Sequence, residues 1–255
     1  METYFQIRYE FDPTAVHAGI RETLAENRAA YICVADGNIL TMVHRDATYR
    51  ATVDGALFSI CDSSWVPLYL RRLYGIERQQ YCGAQIFRDI VGAGEYRMAF
   101  LGTDDATLAD LRSAISAWNP AVADMPFTAL PFCAVEDFDY PAIAAALEGQ
   151  GVDIIWVALG APKQEQFMQR LRPHLRRGVM LGVGAVFNFY SGHIRRAPSL
   201  FVRLHLEFAW RLLTEPRKQF KRCRQIITAL PAIYRKENDI SSRRQDNHQE
   251  NNKVD

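Results

Sequence analysis

Cysteine is scarce and unpatterned: Cys33, Cys61, Cys82, Cys133 and Cys223 are the only five, and no two form a C-x-x-C pair. An odd, scattered set argues against a disulfide framework or a structural zinc, and for a reducing cytosol. The six histidines contain no H-x-x-H or H-E-x-x-H spacing, so the usual zinc arrangements are missing. No P-loop occurs, Gly182-x-Gly184 lacks the third glycine of a dinucleotide fingerprint, and there is no G-x-S-x-G elbow. Nucleophilic serine or cysteine catalysis therefore has no support. No apolar segment follows a basic start and no run of 18 apolar residues exists, so neither a signal peptide nor a membrane span is expected. Charge of one sign is also lacking, the net value being +1 over 255 residues.

What is present is a core. Hydrophobic residues make up 49% of the chain, enough for one large domain or a domain with an appendage. The densest signal lies in residues 153–198. Two near-continuous apolar runs, 153–159 and 179–183, read as strands covered on both faces, the habit of parallel sheets. Each ends in a glycine turn: Gly160-Ala161-Pro162-Lys163-Gln164-Glu165, and Gly184-Ala185-Val186-Phe187-Asn188. With a helix between them they form a βαβ unit. Ligands of open α/β sheets bind beyond the carboxyl ends of strands, which makes Gly160, Lys163, Gln164, Glu165, Gly184 and Asn188 candidate site residues. The same pattern also suits an ordinary α/β loop.

Earlier in the chain, residues 15–28 suit a helix. The segments 29–36 and 39–43 read as a β-hairpin about the turn Asp36-Gly37-Asn38. A helix over 46–58 leads to a short strand, 57–61, closed by Asp62-Ser63-Ser64. Asp62 can serve as a helix N-cap before Trp65-Val66-Pro67. A basic helix follows over 68–74. Gly83-Ala84-Gln85 then forms a strand-to-helix turn, and Gly102-Thr103-Asp104 follows a strand over 97–101. A short strand over 127–132 and a helix over 141–147 complete an alternating order that predicts an α/β doubly wound sheet. Asp137-Phe138-Asp139 matches the D-x-D of metal-dependent sugar-nucleotide enzymes, a triplet that chance also supplies.

After Pro198 the character changes. Residues 196–236 hold ten Lys/Arg against Glu207 and Glu215. Leu200, Leu204, Phe208 and Leu212 line one helical face, and a second basic segment follows Pro216. Such an element can lie on an anionic leaflet or pack on the domain with its charges solvated. Residues 237–255 are polar and without aromatics, and read as disordered. Glycine turns, helix N-termini and late arginines together favour an anionic diphosphate. Arginine can compensate its charge without a metal, and a lone carboxylate such as Asp62 can act as general base.

The stretches VALGAPKQEQF, LGVGAVFNFYSGHIRRAP and LEFAWRLLTEPRKQFKR closely resemble the WecG/TagA/CpsF glycosyltransferases (glycosyltransferase family 26). The likeness covers roughly residues 39–224 and is strongest from 153 on. It implies a Rossmann-like, mostly parallel sheet with helices on both faces and a basic C-terminal helical appendage. The implied division is a catalytic domain at 1–196, a membrane-associating appendage at 197–236 and the polar tail. It further implies an inverting, metal-independent enzyme that moves a sugar from a UDP-sugar to an undecaprenyl-diphosphate-linked saccharide. The setting would be exopolysaccharide, capsule or related surface-glycan synthesis on the inner face of the cytoplasmic membrane. No cofactor beyond the donor and no nucleic-acid partner is expected, and a homo-oligomer is left open.

By position, the resemblance makes Asp62 the proposed base. Thr41 becomes the threonine of a V-T-x-N strand end, and Gly83, Gln85 and Gly102 fall in substrate-binding turns. Gln164 and Glu165 form the Q-E pair near the nucleotide-sugar. Asn188 stands where the family usually has aspartate, and Arg196, Arg211 and Arg217 are arginines that neutralise departing UDP. Val43 and Ser63 depart from the family pattern, and the interval from Thr41 to Asp62 is shorter than in the family. Two other readings are a non-catalytic membrane adaptor of the same fold and a nucleotide-dependent oxidoreductase. The missing glycine fingerprint weighs against the oxidoreductase.

Overall fold

The computed structural model describes residues 1–194 and 216–251. Eight strands form one sheet in the order β1-β2-β4-β3-β8-β7-β5-β6. They are β1 (Glu2–Tyr4), β2 (Ile7–Glu10), β3 (Ala29–Ala35), β4 (Phe58–Cys61), β5 (Met98–Gly102), β6 (Phe127–Thr128), β7 (Ile154–Ala158) and β8 (Gly178–Gly182). Among the described strands, only β1 with β2 is antiparallel; every other pairing is parallel. This is the doubly wound α/β sheet that the alternation of elements predicts.

The strands read as apolar runs because helices cover both faces. Along β3, Tyr31, Cys33 and Ala35 enter one core while Ile32 and Val34 enter the other, the two-residue alternation of a pleated strand. One face carries α2 (Gly37–Arg45), α3 (Ala47–Asp54), α4 (Trp65–Tyr74), α7 (Tyr140–Gly149) and α8 (Lys163–Leu171). The other carries α1 (Pro13–Ala25), α5 (Gly83–Ala93), α6 (Asp105–Ser116) and α9 (Val186–Tyr190). Trp156, fully buried on β7, packs against Phe87 of α5 with ring centroids 4.8 Å apart.

Aspartates start five of these helices. Asp12, Asp36, Asp46, Asp104 and Asp139 each accept a backbone N–H from the first turn of α1, α2, α3, α6 and α7, satisfying donors that a helix leaves open. This corrects the expected hairpin over 29–43. Asp36 caps α2, and Ile39, Leu40 and Val43 are buried at helical spacing. The strand expected before Gly83 is also absent: residues 75–82 carry no strand, and Gly83 is the first residue of α5.

The last described helix, α10 (Pro216–Asn251), lies against α2 and α4. Ala229, Leu230 and Ile233 are buried, and large apolar side chains contribute about 2 kcal/mol each on burial. The Tyr234 ring meets Tyr69 edge-on at 5.1 Å, and its hydroxyl accepts from Arg72 Nε at 3.1 Å. The polar stretch from 237, expected to be disordered, continues this helix to Asn251. Glu237 and Ser241 are buried. Ser241 Oγ donates to Leu73 O at 2.8 Å, and Glu237 receives the Tyr74 hydroxyl at 2.7 Å. Composition misses this because two polar side chains carry the docking. The expected helical face over 200–212 lies outside the described residues.

Candidate active site

The carboxyl ends of β4, β3, β8 and β7 stand side by side, and adjacent strands lie about 4.8 Å apart. Four loops therefore present their first residues along one edge: Asp62 after β4, Asp36 after β3, Gly184 after β8 and Gly160 after β7. The Asp62 backbone N–H donates to Ala35 O at 3.0 Å, locking the β4 tip to the β3 tip.

Asp62 does not cap the helix that follows it. Ser64 occupies the N-cap position of α4 with no side-chain cap bond. Instead, Asp62 Oδ1 accepts from Gly83 N at 3.3 Å, at the first turn of α5. A helix N-terminus favours negative charge, so this carboxylate sits where an anion suits the backbone. Gly83 is needed there: a Cβ would lie 3.0 Å from Val34 Cγ1 and 3.5 Å from Val186 Cγ2.

On β7 and β8 the geometry centres on Gln164, which is 4% exposed. Its Nε2 donates to Glu165 Oε1 at 2.7 Å and to Gly182 O at 3.1 Å, while its Oε1 accepts from Gly160 N at 3.2 Å. Glu165 is fully buried and accepts the Tyr49 hydroxyl at 3.0 Å. Burial pushes its carboxyl up to about 7 against the pull of its hydrogen bonds, and the nearby Asp36 charge adds to the rise. Burial, then the Glu165 charge, raises the Tyr49 hydroxyl far above its ordinary value. Tyr49 therefore stays protonated and remains a donor.

Other expected residues stand elsewhere. Thr41 lies in α2 rather than at a strand end, and its hydroxyl donates to Gly37 O at 2.9 Å. It is buried. Strand β3 ends at Ala35, so Asp36 occupies the place expected of Thr41. The Gln85 side chain accepts from Cys82 N at 2.9 Å and closes the start of α5. Lys163 turns away from the β7 tip: its Nζ donates to Cys133 O and lies 4.9 Å from the Phe138 ring. Gly102 ends β5 at φ +104, where a Cβ would meet Ala158 O at 2.7 Å; its role is close strand approach. Asn188, on α9, is half-buried and accepts the Ile194 N–H through its backbone oxygen. Arg196 and Arg211 lie outside the described residues, as does the side chain of Arg217.

Asp36 and Tyr49 escaped the sequence reading. The D-G-N that read as a hairpin turn also satisfies a helix N-cap, and the helical spacing of Ile39 and Val43 decides between them. For Tyr49 no local signal exists, because its partner lies 116 residues away. Of the D-x-D pair, Asp139 Oδ1 accepts from Ala142 N at 3.0 Å as a cap. Among the described residues, no helix is long and apolar enough to cross a membrane.

A doubly wound sheet with a carboxylate at the tip of β4 and an oriented amide at the start of α8, after β7, defines an α/β fold with its candidate site on the carboxyl edge. The chain belongs to the glycosyl transferase WecG/TagA/CpsF family, whose sequence profile matches residues 6–244, and it is a glycosyltransferase. It is 26% identical over 198 residues to a Bacillus spizizenii N-acetylglucosaminyldiphosphoundecaprenol N-acetyl-beta-D-mannosaminyltransferase, covering 76% of this chain and 74% of that protein. It is 25% identical over 199 residues to the Bacillus subtilis protein of the same name, covering 73% and 75%.

Proposed function

We propose that this glycosyltransferase moves an N-acetylhexosamine from its UDP-sugar to an undecaprenyl-diphosphate-linked saccharide, with inversion and without a metal, in surface-glycan synthesis. The observation that carries the reading is the Asp62 carboxylate on the β4 tip, held at Gly83 N and in line with Gly184 and Gly160. Support for the acceptor class comes from the names of the two Bacillus relatives, which act on undecaprenyl-diphosphate-linked N-acetylglucosamine.

In this reading Asp62 takes the proton of an acceptor hydroxyl. The hydroxyl oxygen then bonds to the anomeric carbon from the face opposite UDP. The bond from that carbon to the β-phosphate oxygen breaks, and its electron pair leaves with UDP. Arg196, Arg211 and Arg217 balance the negative charge that develops, as bidentate guanidinium groups can. The basic last helix holds the enzyme on the inner membrane surface, where the lipid-linked acceptor resides.

The test is transfer from UDP-N-acetylmannosamine to a prenyl-diphosphate N-acetylglucosamine, read as UDP release and product mass. The Asp62→Asn protein should lose roughly 10²- to 10⁴-fold in kcat, the usual worth of a positioned base, and near-normal turnover would remove Asp62 from the role. Activity should persist in EDTA. If it is lost there and restored by manganese, a metal takes part.

A further inference from the structure

The Gln164 amide has one workable orientation. Its two N–H groups are spent on Glu165 Oε1 and Gly182 O, and its carbonyl oxygen faces Gly160 N. Turning the amide over would set N–H against the Gly160 N–H and oxygen against both the Gly182 carbonyl and the Glu165 carboxylate. An amide oxygen has two acceptor sites and an amide nitrogen two donors. The only capacity left is therefore the second lone pair of Oε1. That oxygen lies 3.5 Å from where a Gly184 Cβ would stand, between two loops that are only half-buried, Gly160 and Gly184.

Glu165 enforces this arrangement from below. It is fully buried, and its second oxygen is held by Tyr49 of α3 at 3.0 Å. A second bond joins the same helices, Thr52 Oγ1 to Gln169 Oε1 at 2.9 Å, so α3 and α8 meet rigidly. Glycine at 182 leaves room for the amide: a Cβ there would lie 3.1 Å from Gln164 Nε2.

Resting on the proposed transfer reaction, we propose that Glu165 is a positioning residue that makes Gln164 an acceptor-only contact. Its Oε1 faces the opening between Gly160 and Gly184 and receives an O–H or N–H of the donor sugar. The contact selects for a hydrogen-bond donor on the sugar, because an ether, fluorine or carbonyl placed there would face a lone pair.

The test is a double-mutant cycle in kcat/KM, since coupling shows as non-additivity. Glu165→Met should lose tenfold or more in the presence of Gln164, and less than twofold in a Gln164→Met background. Glu165→Gln, whose carboxamide oxygen can still accept from Gln164 Nε2, should restore most of the loss in the wild-type background only. Equal losses in both backgrounds would show that Glu165 acts independently of Gln164. Should the double variant not fold, UDP-sugars with single hydroxyls replaced by fluorine decide the matter. One analogue should be penalised by the wild type and not by Gln164→Met; if both enzymes rank every analogue alike, the contact does not exist. A wild-type enzyme that transfers no sugar sinks the reaction itself, a result distinct from an additive cycle in an active enzyme.

Discussion

Glu237 accepts the backbone N–H of Phe5 at 2.9 Å, joining residues 232 apart in sequence. Phe5 and Gln6 hold φ of +52 and +60 in the turn between β1 and β2, a conformation that costs an L-residue about 1–2 kcal/mol. The Phe5 side chain is completely buried, and the Glu237 carboxylate satisfies the amide that the turn leaves open. The hydroxyl of Tyr74 fills the other carboxylate oxygen. One side chain of the last helix thus fastens the first hairpin and α4 together.

Glu237→Ala leaves the buried Phe5 N–H without its acceptor, and the expected cost is about 1–3 kcal/mol. Chemical denaturation should show it as a lower midpoint. Hydrogen exchange should rise both at Phe5 and in α10. A change confined to α10 would mean that the hairpin does not depend on this contact.

Glu165 makes stability fall as pH rises. Its carboxyl is raised from 4.5 to about 7 in the folded protein. Between those values the folded state keeps a proton that the unfolded chain releases, so the contribution is full below pH 4.5 and lost by about pH 7. The size is on the order of 3 kcal/mol. Glu165→Gln removes the titration, so its melting temperature relative to wild type should climb from pH 5 to pH 8. A constant difference across that range contradicts a buried titrating carboxyl.

Gly182→Ala should harm activity more than stability. The new Cβ would meet Met168 Cε at 2.8 Å and Gln164 Nε2 at 3.1 Å. The methionine end can move, but the amide cannot move without losing its partners. A loss of about 1–2 kcal/mol from overpacking is expected, with a larger drop in transfer rate. Gly92→Ala is the control: nothing lies within 4 Å of its Cβ position, and alanine in a helix gains about 0.5–1 kcal/mol over glycine.

The proposed membrane contact is testable on α10. Phe220 and Ile227 are 63% and 60% exposed, and two helical turns apart they share one side of the helix. Arg224 is exposed between them. Replacing both apolar residues by serine should weaken co-sedimentation with anionic vesicles several-fold at unchanged melting temperature. Full retention on the vesicles would place the contact elsewhere.

The sequence made the centre of the sheet readable and its margins less so. Residues 154–158 and 178–182 are buried on both faces, so their apolar runs had one sensible reading. The run after Asp36 was ambiguous because five apolar or small residues suit either period, and the cap settled it for helix. In β2, Ile7 and Tyr9 are inward and Arg8 outward, an alternation too short to mark a strand. Asp62 is legible through family likeness rather than spacing, since its partner Gly83 belongs to a helix that begins 21 residues later. The docking of residues 237–243 had no local signature at all: it depends on two polar side chains meeting distant backbone and hydroxyl groups.

Strand β8 is the last of the described strands and sits in the middle of the sheet, with Ala29 of β3 paired to Gly178 on one side and Ile154 of β7 paired to Val179 on the other. During synthesis two half-sheets must wait, each with an apolar edge unclosed, until residues 178–182 leave the ribosome. Such edges invite association with other chains. The interval before β8 arrives is therefore when this protein most needs a chaperone, and a nascent chain stopped short of residue 178 should be far more prone to aggregate than one released just after residue 194.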